Sequence, residues 1–149
     1  MKRNKSTCCW AIVCLWLFIG VSSKADSYPL PDIIKKGFAL YAKGGGAPTV
    51  EAWRQGGGAD LERHLSYQTQ GLKQLATPLG NYKTFEVVES KGIGSRSRIY
   101  YISIQFERGA IFSSFLVYNT SGTDWVIQRV LFNNAPESIM PWLAVHQEE

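Results

Sequence analysis

At Tyr82 the hydrophobic period of this chain changes from that of a helix to that of a strand. Upstream, apolar residues recur at Ile34, Phe38 and Tyr41, with Ile33 and Leu40 beside them, and again at Leu61, Leu65, Leu72 and Leu75. Such spacings put side chains on one face of a helix. Downstream, four runs alternate with a period of two: 82–90, 98–107, 110–119 and 125–133. Gly92-Ile93-Gly94-Ser95, Arg108-Gly109 and Thr120-Ser121-Gly122-Thr123 join them, and each has turn chemistry. Connections this short force neighbouring strands to be antiparallel. Helices first and strands afterwards predict an α+β fold, two or three N-terminal helices packed on a curved four-stranded antiparallel meander.

The helical half has its own punctuation. Gly44-Gly45-Gly46 ends a helix expected over 32–43, and Gly56-Gly57-Gly58 ends a second over 48–55, which Pro48 opens and Trp53 anchors. A third helix is expected to start at Asp60 and to close at Thr77-Pro78-Leu79-Gly80. Asp32 and Asp60 are the expected caps of the first and third helices.

If Arg108-Gly109 is a two-residue turn, Phe106 opposes Ile111, Ile104 opposes Ser113, Ile102 opposes Phe115 and Tyr100 opposes Val117. That face is apolar and should meet the helices. The other carries Ile99, Tyr101, Ser103, Gln105, Phe112, Ser114, Leu116 and Tyr118. It is too apolar for plain solvent and too polar for a core, which is the composition of an interface. A homodimer through Tyr101, Phe112, Leu116 and Tyr118 is one way to cover it. The rival is that the segment 136–142, with Ile139, Met140 and Trp142, folds back over it within one chain.

The N-terminus reads as an export signal. A basic start, Met1-Lys2-Arg3-Asn4-Lys5, precedes fourteen residues from Cys8 to Val21 that are apolar apart from Gly20, and Ser23 and Ala25 form a small-residue exit. Fourteen residues span about 21 Å as a helix, short of the roughly 30 Å of a hydrocarbon core, so cleavage near Ala25 is expected over retention as an anchor. Four of the 16 Lys and Arg residues lie before Asp26 and all 12 acidic residues lie from there on, so 26–149 is a single neutral domain of 124 residues. Neutrality removes the basic footprint of a nucleic-acid binder. All three cysteines (Cys8, Cys9, Cys14) lie in the leader, so the domain has no disulfide, thiolate nucleophile or thiolate metal site, and stable membrane insertion is not expected after cleavage.

The order helix, helix, long helix, meander resembles the nuclear transport factor 2-like superfamily. The stretch 89–134 is similar to small secreted bacterial members of that group, through Gly94-Ser95-Arg96, Tyr100-Tyr101, Gly109, Phe115-x-x-Tyr118 and Trp125. The resemblance implies a cone-shaped fold with a pocket between helices and sheet. It does not imply one activity, since the superfamily holds isomerases, dehydratases, transport adaptors and non-catalytic proteins.

Enzymes of that superfamily place an Asp or His base with Tyr or His partners inside the cone. Here Asp26, Asp32, Asp60 and Asp124 fall in the extended stretch 26–31, two caps and a turn, so no catalytic residue is assigned. His64, Glu86 and Tyr101 together have the chemistry of a base and its orienter. The candidate ligand pocket is His64, Tyr101 and Arg129, the last a mid-strand cation fit to hold an anionic ligand, and the expected ligand is either small and apolar or anionic. His64 and His146, 82 residues apart, make no metal motif. The glycine triplets follow no strand and lack the Lys-Ser/Thr ending of a phosphate loop. No cofactor or metal is expected. The expected role is an exported binding or self-association module, with a small cone-fold isomerase or dehydratase as the alternative.

Overall fold

In a computed structural model, residues 28–142 are described. The N-terminal run that carries the export expectation, and His146, lie outside them. Helices α1 (Asp32–Gly44), α2 (Gly46–Trp53) and α3 (Ala59–Ala76) come first. A 3-10 turn over Thr77–Leu79 then leads into strands β1 (Tyr82–Ile93), β2 (Ser97–Phe106), β3 (Gly109–Asn119) and β4 (Trp125–Asn133), and a one-turn helix α4 (Pro136–Ile139) follows. The strands pair in chain order as one antiparallel sheet. The fold is α+β, as the change of period at Tyr82 predicts.

The inner sheet face carries Tyr100, Ile102, Ile104, Phe115, Val117 and Val130, all without solvent exposure. Trp53 joins the helices to it. Its ring meets Phe38 of α1 edge-on at 5.4 Å and Phe115 of β3 at 5.0 Å, while Phe38 stacks on Phe85 of β1 at 4.5 Å. Gly37 makes this possible: a Cβ there would fall 1.8 Å from the indole nitrogen of Trp53, so only a bare backbone lets the ring lie against α1.

Two sequence expectations are corrected. Neither aspartate caps its helix. Pro31 and Gly58 occupy the cap positions without side-chain hydrogen bonds, and the carboxylates pair one turn on, Asp32 with Lys35 at 3.0 Å and Asp60 with Arg63. The second correction concerns the β2–β3 hairpin. Phe106 faces Gly109, Ile104 faces Ile111, Ile102 faces Ser113 and Tyr100 faces Phe115, so the loop is Glu107-Arg108. Contacts with the 3-10 turn and the residue before β1 explain the shift: the Arg108 N–H donates to Leu79 O at 2.9 Å and the Glu107 N–H to Asn81 O at 3.1 Å. The register moves by two residues. An even shift leaves every side chain on its expected face.

On the outer face, the segment after β4 folds back over the sheet. Tyr101, Ile139 and Met140 form a second buried cluster, with Ile99, Phe112, Leu131 and Trp142 packed against it. Trp142 stands edge-on to Tyr101 at 4.6 Å, and the Lys91 ammonium lies 4.2 Å from the Trp142 ring centroid. This is the intramolecular cover of the two arrangements expected for that face.

Candidate functional site

His64 and Gln68 sit one turn apart on the stripe of α3 that faces β4. His64 Nε2 lies 2.8 Å from Val130 O and 3.3 Å from Val130 N, and Gln68 Oε1 accepts the Phe132 N–H at 3.3 Å. β4 is an edge strand, and a lone edge presents unpaired backbone groups. Two strand residues advance about 6.6 Å and four helical residues about 6 Å, so one helix face can serve alternate positions of the strand. His64 thus has a structural occupation at the sheet edge.

The other candidates lie elsewhere. Tyr101 is on the outer face, only 8 % exposed. Its burial holds the phenol above the ordinary 10.0, with Lys91 pulling it down and Glu89 pushing it up. Arg129 lies opposite Leu116 on that same outer face and is exposed. Glu86 is also outward, on β1, and accepts a hydrogen bond from Gln105 Nε2 at 3.3 Å. The sheet therefore separates His64 from both Tyr101 and Arg129, and His64 from Glu86. Neither the base-and-orienter trio nor the three-residue pocket is assembled. Of the residues expected at a dimer face, Tyr101 is under Trp142, Phe112 packs on the second cluster, and Leu116 and Tyr118 are half-buried. Asn119 is held in its own turn, its side chain bonded to Gly122 N and O.

The space between helices and sheet holds Trp53, Phe38, Phe115 and Tyr100, each fully buried. The polar residues buried with the core are Thr49, Thr69, Ser90, Ser113 and Ser114. Thr49, Thr69 and Ser113 donate to backbone carbonyls, and the Ser90 hydroxyl accepts the Tyr28 N–H. Among the described residues, no three of His, Cys, Asp and Glu gather as metal ligands, and no helix is long and apolar enough to cross a membrane.

Concavity is found at the surface. One groove of about 690 Å³ lies where Asp32 and Lys36 of α1 approach the β3–β4 turn, and another of about 590 Å³ lies between α2 and α3, with Arg54, Glu51 and Glu62 on its walls. A third, of about 620 Å³, runs between α3 and the end of β4. Its signal in the sequence is Tyr67, Gln70, Gly71 and Gln74, a helical stripe without charge. Sequence reasoning passed over it because its remaining wall comes from Phe132 and Asn133, far along the chain.

In comparisons with known proteins, no family model, curated protein or solved structure matches this chain significantly.

Proposed function

We propose that this protein is an exported, non-catalytic binding or self-association module, with a cone-like domain of the nuclear transport factor 2-like kind and a role in the periplasm or outside the cell. The observation that carries the non-catalytic part is the filled interior. Where an enzyme of that architecture holds substrate against an ionisable base, this chain packs Phe38, Trp53, Phe85 and Phe115 together. Aromatic cores of this kind are close-packed, so recognition is left to the outside. Self-association through the sheet has the Leu116–Tyr118 end of the outer face to use, because the strap of residues 136–142 lies over the Tyr101–Phe112 end.

The test is a thermal-shift series on the secreted protein with apolar probes of steroid and acyl type. The reading expects no rise in melting temperature, since binding to the native state alone would raise it. A saturable rise of several degrees that Phe115→Trp abolishes would show an open interior and favour the isomerase or dehydratase alternative.

A further inference from the structure

We propose that the groove between α3 and the end of β4 is a binding site for a short, uncharged oligosaccharide. Three observations converge there. The first is its chemistry: the lining includes Gln68, Gln70, Gln74 and Asn133 beside Tyr67, and no charged side chain. Amides supply paired donors and acceptors in one plane, which is how hydroxyl-rich neutral ligands are held.

The second observation is orientation. Gln68 Oε1 is engaged by the Phe132 N–H and Asn133 Oδ1 by the Ala135 N–H at 2.9 Å. Each bond fixes which way round the amide sits and leaves its NH₂ group to donate to a ligand. Tyr67 adds a platform. It is 74 % exposed, the most exposed of the large hydrophobic residues described, and an aromatic face suits the C–H side of a pyranose.

The third observation is Gly71. It sits inside an 18-residue helix, where glycine is the poorest choice after proline. A Cβ at Gly71 would meet nothing within 4 Å, and its φ is not in the left-handed region. Neither packing nor backbone geometry of the chain calls for glycine here. A ligand approaching the helix backbone along the groove does call for it.

A peptide is the competing occupant of an amide-lined groove beside an edge strand. Peptides dock at such edges by adding a strand. Here that mode is obstructed, since Val130 and Phe132 already bond to His64 and Gln68. The groove's volume of about 620 Å³ suits a small ligand. The proposal names a ligand class for the binding role above but uses different residues from the sheet face and the interior, so either can fail alone.

The experiment is saturation-transfer difference NMR on the purified protein with maltose, cellobiose and chitobiose as probes, and an unstructured neutral peptide as control. Transfer to the ring C–H protons of at least one saccharide is expected. Tyr67→Ala should weaken it roughly tenfold. Gly71→Ala should do the same while the melting temperature stays level or rises, which separates loss of binding from loss of fold. Absence of transfer from all three saccharides, transfer undiminished in both variants, or transfer to the peptide alone would each overturn the proposal.

Discussion

His64 Nε2 lies 2.8 Å from the carbonyl oxygen of Val130, joining the first half of α3 to the outer edge of β4. The ring is occupied by backbone of its own chain. His64→Ala is expected to leave the carbonyl of the buried Val130 without its partner and to cost about 1 kcal/mol. His64→Ala with Gln68→Ala should also raise the tendency to aggregate, because the strand edge is bared. Urea denaturation and light scattering read the two effects. A double variant with unchanged stability and solubility would mean that water serves the edge equally well.

The ring that most of the core rests on is Trp53. Trp53→Ala should cost about 3 to 5 kcal/mol, the range for emptying a fully buried large aromatic site, which is a large part of the roughly 5 to 15 kcal/mol that stabilises a typical domain. Trp125 is only half-buried, and its replacement by Ala should cost about 1 kcal/mol. Gly37→Ala tests the same contact from the other side: its methyl would overlap the indole, so a destabilisation of about 1 to 3 kcal/mol is expected. Equilibrium unfolding of the three variants ranks them.

Most of the sheet was legible in the sequence because alternation reports local geometry. β4 runs from Trp125 to Asn133 as the pattern predicts, and the faces of β2 and β3 are as expected despite the shifted turn. What the pattern does not contain is the partner 26 residues away that sets that turn, Asn81 for Glu107. The same limit applied to sites. His64 and Val130 are 66 residues apart, so nothing near His64 in the sequence shows that backbone occupies it. The walls of the amide groove are split in the same manner, between α3 and β4. The strap was legible only as one of two options, since Ile139, Met140 and Trp142 are too few to show a period.

The strap predicts a difference in association state. With residues 136–142 in place, Tyr101 and Phe112 belong to a cluster closed within one chain. Removing everything after Asn134 should expose these rings and produce a concentration-dependent dimer in sedimentation velocity. In the intact protein, Phe112→Glu should lower stability and leave the mass unchanged. An intact protein whose dimer is dissolved by Phe112→Glu would show instead that the face pairs between copies.

Acid sensitivity is expected at the β2–β3 turn, and also at Glu51, which its hydrogen bonds to Arg54 hold below the ordinary 4.5. The Asn81 side-chain amide donates to the Glu107 carboxylate at 3.1 Å, the Asn81 N–H donates at 3.2 Å, and Lys83 stands 3.7 Å away. Together they hold Glu107 below its ordinary 4.5. A carboxyl whose folded pKa is depressed contributes stability above its unfolded value, and the contribution disappears as pH falls through the folded value. The melting temperature should therefore drop below pH 4.5, and Glu107→Gln should flatten that limb while changing little near neutrality. An acid limb of the same slope in Glu107→Gln would assign the sensitivity to other carboxylates.

Arg98 closes the opposite end of the domain. Its guanidinium carbon lies 4.3 Å from the ring centroid of Tyr28 and 4.6 Å from that of Trp125, so one cation bridges the first described residue and the start of β4. Tyr28 N–H also donates to Ser90 Oγ at 2.8 Å, and the Tyr100 hydroxyl donates to Pro29 O at 2.9 Å. The lead-in to α1 is thereby fastened to the sheet, and cleavage near Ala25 would keep every one of these contacts. Arg98→Lys retains the charge but loses the planar surface that stacks on both rings. A partly exposed cation–aromatic contact contributes about 0.5 to 1 kcal/mol, so Arg98→Lys should cost about that much. In a double-mutant cycle, Tyr28→Ala should remove most of the Arg98 effect. Additive losses in that cycle would show that Tyr28 and Arg98 act independently, and that Trp125 alone holds the guanidinium.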